Sequence, residues 1–321
     1  MTGYIKDFNK QFIFEPEIVN SDKLISCDKF IIAGMGGSNL SAGLIGIRDP
    51  KMDIIVHRNY GLPEIAEENL KGRLIIVSSY SGNTEEAIDS FEKAVSSNLP
   101  IAVVSSGGRL IELARKNSVP YVLLPQTGIQ PRFAVGYNIK AILKIMGRQD
   151  LVAELTELAL ILDPSSFEGT GKKLADLLKG FVPVICSSGK NKGIVYNWKI
   201  KFNESTKIPA FFNVFPELNH NEMTGFDLSG EVKNNFDKFY FIFIRDETDH
   251  PRISKRMEAT KKMYEERGFK VEEVYISGRT VFHKIFSSII LADWTSYYLS
   301  VIYGGDPENV PMVEQFKDLI K

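Results

Sequence analysis

The segment Leu74–Glu86 reads LIIVSSYSGNTEE and changes character sharply in its middle. Its first four residues are apolar, as in a strand that is buried on both faces of a parallel sheet. The residues from Ser79 to Thr84 are small or polar, and an amphipathic helix is predicted from Glu85. A strand, a tight loop and a helix in this order are typical of a βαβ unit, so we expect a parallel sheet.

The loop of this segment predicts a phosphate site. Gly82 permits a tight turn, and the hydroxyls of Ser79, Ser81 and Thr84 lie at the start of the helix. Unpaired backbone N–H groups and the positive end of the helix dipole meet there, which suits a phosphate dianion. The alternative is an ordinary capping box at Asn83, with an acid three residues later.

The surrounding chain repeats this alternation of strand and helix. After an arm with one helix at residues 1–28, predicted helices of about 10 to 15 residues separate the strands, which indicates a doubly wound parallel sheet. Ligands bind such sheets beyond the carboxyl ends of the strands, where both Gly34–Ser38 and Ser79–Thr84 lie. This agreement favours phosphate binding over simple capping. The predicted strands are Phe30–Ala33, Asp53–His57, Leu74–Val77, Ile101–Val104 and Tyr121–Leu124.

A second half of similar architecture is predicted further along the chain. Helices from about Asn138 to Lys179 lead to the strand Val182–Cys186, which runs into a Ser-Ser-Gly loop like that of the first half. We therefore expect two doubly wound domains, residues 1–148 and residues 149–321, the second ending in a helical tail. The further predicted elements are helix Gly193–Thr206, strand Tyr240–Ile244, helix Arg252–Arg267, strand Lys270–Tyr275 and helix Thr280–Tyr303.

Composition excludes several classes of protein. The chain has 321 residues and a formal net charge of −1, without the basic excess of a nucleic-acid groove. Cys27 and Cys186 each lie beside an apolar stretch, as do buried thiols of a reduced compartment. The N-terminus lacks the apolar core of a signal peptide, and Asp293 interrupts the apolar stretch Ile285–Tyr303. We expect a soluble cytoplasmic protein without a membrane partner.

The motifs of common cofactor sites are incomplete or missing. Gly34 and Gly36 begin a dinucleotide fingerprint, but Asn39 replaces its third glycine. The second strand ends in His57-Arg58-Asn59, without the acid that would bind ribose hydroxyls. Neither a Gly-Lys-Ser/Thr loop, nor HExxH, nor paired cysteines occur. We therefore expect no cofactor and no metal.

Glu204 is a candidate base near the end of the predicted helix Gly193–Thr206. One apolar stripe at helical spacing is formed by Ile194, Val195, Trp198 and Phe202. At about 100° per residue, Glu204 falls well away from that stripe. The alternative is a solvated carboxylate that pairs with Lys201 or Lys207, each three residues away.

Three further side chains are candidates for the chemistry. His220 lies in the loop FPELNHNE, where neighbouring carboxylates could hold its tautomer and move its pKa. Arg132 follows Pro131 and could hold an oxyanion or a phosphate bidentately. Lys317 lies near the C-terminus. The alternatives are a satisfied surface histidine, a surface ion pair and a solvated lysine.

Five motifs together resemble one family. They are GMGGSNLSAGL, SSYSGNTEEA, QPR, the helix end Asn203-Glu204-Ser205, and PELNHNE. In this order, and over nearly the whole chain, the sequence resembles the bifunctional phosphoglucose/phosphomannose isomerases, which are built from two sugar-isomerase (SIS) domains. SYSGNTEE alone is typical of the broader SIS class, whereas PELNHNE after the Glu204 helix is more specific. The resemblance implies two flavodoxin-like domains and a metal-independent aldose–ketose isomerase.

The resemblance also implies a role for each motif residue. Glu204 would move a proton between C1 and C2 of the sugar through a cis-enediol. His220 would assist ring opening from the other subunit of a homodimer, and Lys317 would aid it. Arg132 would stabilise the negative charge that develops on the enediol. The sugar phosphate would be bound by Ser79, Ser81 and Thr84, with Gly36, Gly37 and Ser38 near the substrate.

The implied reaction interconverts glucose 6-phosphate, and mannose 6-phosphate, with fructose 6-phosphate. One departure from the family bears on mannose 6-phosphate. Relatives often carry a threonine in the tail that is linked to accepting both C2 epimers, whereas residues 306–310 read DPENV here. Two alternatives are a non-catalytic SIS module that senses sugar phosphates, and a SIS isomerase of an amino-sugar or pentose phosphate. Only an enzyme needs Glu204 and His220.

Overall fold

The computed structural model of the chain describes residues 1–227 and 236–320. The α-helices are α1 (Thr2–Lys6), α2 (Leu40–Arg48), α3 (Glu67–Lys71), α4 (Glu85–Ser96), α5 (Gly108–Lys116), α6 (Val135–Ile145), α7 (Gln149–Ile161), α8 (Glu168–Leu178), α9 (Lys192–Lys201), α10 (Pro251–Glu266), α11 (Val281–Ile302) and α12 (Pro311–Leu319). The strands are β1 (Ile18–Val19), β2 (Lys29–Ala33), β3 (Asp53–His57), β4 (Leu74–Ser78), β5 (Ile101–Ser105), β6 (Tyr121–Leu123), β7 (Val182–Ser188), β8 (Phe211–Phe215), β9 (Phe239–Asp246) and β10 (Lys270–Ile276).

The chain divides into two compact units. The amino-terminal unit is Asp7–Leu162, and the carboxy-terminal unit is Asp163–Lys321 together with Met1–Lys6. The sequence predicts a domain boundary after residue 148, before α7. In the structure α7 belongs to the amino-terminal unit, where Asn9 Nδ2 donates to the carbonyl of Ala159 at 2.9 Å.

The amino-terminal unit is built on a sheet with the strand order β1-β6-β5-β4-β2-β3. The strands β2 to β6 pair in parallel, and β1 pairs antiparallel with β6 at one edge. The five parallel strands have the flavodoxin-like order 2-1-3-4-5, which confirms the predicted doubly wound fold. In this order the chain reverses its direction of winding between β2 and β4, and ligands bind in the crevice at that point.

The core of this unit explains the opening segment of the sequence. All five residues of β4 are buried, as its apolar run predicts. On one face of the sheet, Ile75 and Val77 pack in a cluster with Phe91 of α4 and Leu110 of α5. Burying each large side chain of this kind contributes roughly 1.5–3 kcal/mol to the free energy of folding. The sheet is therefore a rigid support for the loops that follow its strands.

The carboxy-terminal unit repeats the topology with fewer described strands. Its strand order is β10-β9-β7-β8, and these strands all pair in parallel. The order corresponds to 2-1-3-4, so the reversal of winding falls between β7 and β9. Strand β8 was not predicted from the sequence. It is a short edge strand whose burial increases only towards its last residue, so it shows no clear alternation of apolar and polar residues.

The helices predicted from about Asn138 to Lys179 are α6, α7 and α8, which are separated where Gly147 has a φ of +73° and where Pro164 starts a short 3₁₀ turn. The arm at residues 1–28 has more structure than the single helix predicted. It contains α1, a 3₁₀ helix at Phe8–Ile13 and the edge strand β1.

Helix α11 is the central helix of the carboxy-terminal unit and packs along α8 and α9. Among the described residues it is the one helix long and apolar enough to cross a membrane, with a mean hydropathy of 1.3. However, 78% of its most apolar window is buried inside the structure, as in the core helix of a globular protein.

Candidate active site

The loop Ser79–Thr84 makes a tight turn at the carboxyl end of β4. Gly82 has a φ of +72°, and a Cβ there would lie 1.8 Å from the carbonyl oxygen of Gly107, so only glycine fits. Ser79 Oγ accepts the Gly82 N–H at 3.1 Å and lies 2.8 Å from Thr84 Oγ1. The turn therefore places two of the predicted phosphate-binding hydroxyls in contact.

The first turn of α4, which follows this loop, has no side-chain cap. Thr84 occupies the N-cap position, but its hydroxyl bonds to Ser79 rather than to a helix amide. The side-chain oxygen of Asn83 accepts the Arg109 N–H at 3.0 Å, so the alternative of a capping box at Asn83 is wrong. Ser81, the third predicted hydroxyl, is exposed on the turn. An anion would find uncapped amides and the positive end of the helix here.

The loop after β2 lies beside this turn. Ser38 Oγ accepts the Tyr80 N–H at 2.8 Å, and the carbonyl of Ser38 accepts the Ser78 hydroxyl at 3.2 Å. Gly36 has a φ of +49° and is exposed. The two loops follow β2 and β4, so they flank the crevice where this strand order binds ligands.

Gly37 brings Arg132 to the same edge. A Cβ at Gly37 would lie 2.6 Å from the carbonyl carbon of Pro131 and 2.7 Å from the amide nitrogen of Arg132, so the two backbones are in contact. The Arg132 side chain is 1% exposed, and its guanidinium lies 4.7 Å from the centre of the Phe133 ring. A surface ion pair, the alternative for Arg132, does not fit this burial.

Asn138 of α6 extends this cluster and was not predicted from the sequence. Its Nδ2 donates to Ser78 Oγ at 2.8 Å, and its side-chain oxygen is buried without a hydrogen-bond partner among the described residues. The sequence feature that could have indicated Asn138 is a polar residue inside the apolar helix Val135–Ile145. The amino-terminal unit thus gathers both loops, Arg132 and a spare acceptor at one edge of its sheet.

The corresponding edge of the carboxy-terminal unit carries carboxylates instead. Asp246, the last residue of β9, accepts hydrogen bonds from Lys284 Nζ and Thr248 Oγ1, both at 2.7 Å. Ser188, the last residue of β7, donates to Asp249 Oδ1 at 2.7 Å. Burial raises the pKa of Asp249 despite the Ser188 hydrogen bond. As at the first edge, a strand runs into small residues here, but the acids of this edge disfavour a phosphate.

Glu204 lies in a π-helical turn, Phe202–Thr206, that continues α9. The Lys207 N–H closes this turn on the carbonyl of Phe202, five residues earlier. Glu204 itself is half-buried. The predicted apolar stripe of the helix is confirmed, since each of its members is 0% exposed: Ile194, Val195, Trp198 and Phe202.

The two lysines considered as partners of Glu204 each contact another residue of the same unit. Lys201 Nζ lies 2.7 Å from Asp293 Oδ1, and both side chains are 0% exposed. Lys207 is exposed, and its Nζ donates to the carbonyl of Asp306 in the tail. The ammonium of Lys201 is therefore tied to α11, on the buried side of α9.

His220 ends a short 3₁₀ helix, Glu217–His220. Leu218 anchors this helix at 1% exposed, and Asn219 Nδ2 donates to Thr260 Oγ1 at 2.8 Å. The imidazole is exposed. The neighbouring carboxylates were expected to hold its tautomer, but they accept hydrogen bonds from asparagine side chains. The carboxy-terminal unit therefore presents His220 outward on an anchored support.

Lys317 lies on α12, and none of the residues of that helix is buried. Its Nζ is 2.7 Å from Glu314 Oε1, one turn earlier on the same helix. In the tail before α12, Asp306 accepts hydrogen bonds from the amide of Glu308 at 2.8 Å and from Asn309 Nδ2 at 2.6 Å. The structure thus holds Glu204, His220 and Lys317 on three separate elements of one unit.

A cavity of about 420 Å³ lies in the carboxy-terminal unit, between the end of β10 and the start of α11. Its lining includes Phe167, Arg279, His283 and Lys284. None of the residues predicted from the sequence as site residues lines this cavity, so it is separate from the candidate catalytic groups.

Known proteins resemble both the sequence and the fold. A family model, the bacterial phospho-glucose isomerase C-terminal SIS domain, matches residues 167–320. A bifunctional phosphoglucose/phosphomannose isomerase of Aquifex aeolicus is 31% identical, with 96% of this chain and 95% of that protein covered. A protein of the same name from Caldicellulosiruptor bescii is 32% identical, with 91% and 89% covered.

Among solved structures, glucosamine-6-phosphate deaminase from Thermotoga maritima superposes with a TM-score of 0.70 at 14% identity, covering 97% of each chain. At this identity the likeness concerns the fold alone. The family assignment rests on the sequence relatives, because they match at about 30% identity over nearly the full length of the chain. The chain belongs to the bifunctional phosphoglucose/phosphomannose isomerase family.

Proposed function

We propose that this protein is an aldose–ketose isomerase that interconverts glucose 6-phosphate and mannose 6-phosphate with fructose 6-phosphate. The proposal rests on the pair of loops that flank the crevice between β2 and β4. The relatives of the chain are named for these two activities. Ser79, Ser81 and Thr84, with the uncapped start of α4, would bind the sugar phosphate. Gly36, Gly37 and Ser38 would lie near the substrate.

The reaction requires a proton to leave C2 of the open-chain sugar and a proton to arrive at C1. Glu204 is the base that removes the C2 proton, and the resulting cis-enediol is protonated at C1 to give the ketose. Glucose 6-phosphate and mannose 6-phosphate differ only at C2, so both give the same enediol. Arg132 stabilises the negative charge on the enediol oxygen, since a fixed cation in a buried site acts strongly. The aldose and ketose are isomers, so no redox cofactor is consumed.

Ring opening needs a second acid–base group, and His220 takes this role with help from Lys317. In a single chain His220 is exposed and its ring has no hydrogen-bond partner among the described residues. A homodimer in which His220 serves the partner subunit would give it one. Helix α12, which carries Lys317, also exposes Met312, Phe316 and Leu319 at helical spacing, as expected of a surface that a second subunit covers. We place this dimeric enzyme in the cytoplasm.

The activity is tested by coupled assays on glucose 6-phosphate and mannose 6-phosphate with the wild-type chain and with Glu204→Gln. Removing an essential base should lower kcat by about 10²–10⁴-fold. Glu247→Gln is the matched control, because Glu247 is an exposed carboxylate of the same unit. Wild-type activity in Glu204→Gln would exclude Glu204 as the base, and inactivity of the wild-type chain on both sugars would refute the function.

The dimer is tested by mixing two inactive variants, Glu204→Gln and His220→Ala, after unfolding and refolding them together. If His220 acts across a twofold interface, each mixed dimer has one site with both wild-type groups, and about a quarter of the wild-type activity returns. If both groups act within one chain, the mixture stays inactive. That result would contradict the shared site while leaving the reaction itself in place.

A further inference from the structure

We infer that the buried ion pair between Lys201 and Asp293 positions the catalytic carboxylate of Glu204. This inference rests on the proposed role of Glu204 as the base. Lys201 and Asp293 are positioning residues in this account, since they act through the backbone that carries Glu204 and do not touch the substrate.

The pair lies one turn away from Glu204. Lys201 is the last residue of α9, and Glu204 follows three residues later in the π-helical turn. Asp293 lies near the middle of α11, which is buried over most of its length. The Nζ–Oδ1 distance is 2.7 Å, and neither side chain is exposed. The contact therefore joins the end of α9 to the long, largely buried helix α11.

A second contact anchors the far side of the same turn. Thr206 Oγ1 donates to the carbonyl of Ser296 at 2.9 Å. Ser296 lies one helical turn after Asp293, so both anchors come from one face of α11. Glu204 lies between Lys201 and Thr206 and is half-buried. Its backbone is thus held from both sides.

The geometry of the turn explains why it needs such anchoring. A π-helical turn has one residue more per hydrogen-bonded ring than an α-helix and is rare outside single turns at functional sites. Lys207, which follows it, has a φ of +60°, a left-handed conformation that costs a non-glycine residue roughly 1–2 kcal/mol. Relaxation of this segment into regular α-helix would rotate Glu204 about the helix axis. The two anchors on α11 oppose that rotation.

A buried ion pair is better suited to positioning the backbone near Glu204 than to raising the stability of the fold. Buried pairs often stabilise a fold no more than apolar residues of similar size, because both charges lose their hydration. They do hold two elements together, since separating the charges would leave each one buried and unpaired, at a cost of about 3–5 kcal/mol. Catalysis is sensitive to such fixing, because a displacement of about 1 Å can lower a rate about 100-fold.

The test replaces the pair with apolar residues, Lys201→Met with Asp293→Leu, which leaves no unpaired buried charge. We expect kcat on fructose 6-phosphate to fall about 10- to 100-fold, because Glu204 loses its alignment. We expect KM to stay within about twofold, because phosphate binding is assigned to other residues. The matched control is Arg245→Met with Glu273→Leu, which removes a 2.6 Å pair between β9 and β10 of the same unit. It should leave kcat unchanged.

Fluorescence melting shows whether each variant is folded, because both tryptophans, Trp198 and Trp294, lie in this unit. A folded Lys201→Met/Asp293→Leu variant with wild-type kcat would overturn the inference, provided that Glu204→Gln is inactive. An active Glu204→Gln variant would instead exclude Glu204 as the base, and inactivity of the wild-type chain would refute the proposed function. If the apolar variant does not fold, the second variant is Lys201→Gln with Asp293→Asn, which keeps a hydrogen bond between the two side chains. A normal melting curve with a lowered kcat in this variant supports the positioning role, and a normal kcat overturns it.

Discussion

We predict that Asp246→Asn destabilises the carboxy-terminal unit in a pH-dependent way. The Asp246 carboxylate is 3% exposed and accepts hydrogen bonds from Lys284 Nζ at 2.7 Å, from the amide of Thr248 at 3.0 Å and from Asn191 Nδ2 at 3.2 Å. Burial alone would raise the pKa of Asp246, but these hydrogen bonds outweigh burial and lower the pKa from 3.8 to about 2.

The size of the effect follows from this pKa. One pKa unit is about 1.4 kcal/mol, so the ionised carboxylate adds roughly 2 kcal/mol to the free energy of unfolding at neutral pH. Because the folded-state pKa is depressed, this contribution is complete above about pH 5 and is lost as the pH falls towards 2, with about half gone by pH 3. The asparagine also leaves the Lys284 ammonium buried without its carboxylate, so the full loss at pH 7 is roughly 3–5 kcal/mol.

The assay is urea unfolding at pH 7, 5 and 3, followed by tryptophan fluorescence, which reports the carboxy-terminal unit alone. The difference between wild type and Asp246→Asn should be large at pH 7 and shrink by about 1 kcal/mol at pH 3. Asp227→Asn is the control, since Asp227 lies in the same unit and pairs with Arg267 but is 65% exposed. A difference that is the same at pH 7 and pH 3, or no larger than that of the control, would show that the Asp246 carboxylate does not stabilise the fold in this way.

Two further predictions concern the amino-terminal unit. Ser79→Ala should raise KM for the sugar phosphates about 10- to 100-fold with a smaller change in kcat, because a hydrogen bond to a charged phosphate is lost. An unchanged KM in the coupled assay would show that Ser79 does not bind the phosphate. Gly37→Ala should lower kcat at least 10-fold, because its Cβ would force the backbone of Pro131 and Arg132 to move by about 1 Å. Gly46→Ala, on α2 of the same unit, meets nothing within 4 Å and should keep wild-type kcat; equal effects of the two changes would contradict the close packing at Gly37.

Much of the fold could be predicted from the sequence because its strands are strongly apolar. Strand β4 and its loop were found because a buried run of four residues ends abruptly in hydroxyls and glycine. Strand β8 was missed because an edge strand that is only half-buried lacks a periodic signal. The unit boundary was placed too early because Gly147 ends α6, although α7 still packs within the amino-terminal unit.

The site could be predicted only as a set of motif residues. Which of them are neighbours depends on tertiary contacts, such as that between Gly37 and Arg132, that no spacing in the sequence encodes. The π-helical turn at Glu204 and the pairing of Lys201 with Asp293 were likewise invisible, since helical periodicity assigns Lys201 to Glu204 as readily as to a distant acid.

Proton transfer by Glu204 through an enediol can be followed by exchange with solvent in deuterium oxide. Fructose 6-phosphate is incubated with wild-type enzyme or Glu204→Gln, and the C1 and C2 hydrogens of the sugars are followed by NMR. We expect wild-type enzyme to introduce deuterium from the solvent and Glu204→Gln to do so at least 100-fold more slowly. Exchange at the same rate in both proteins would contradict this role of Glu204.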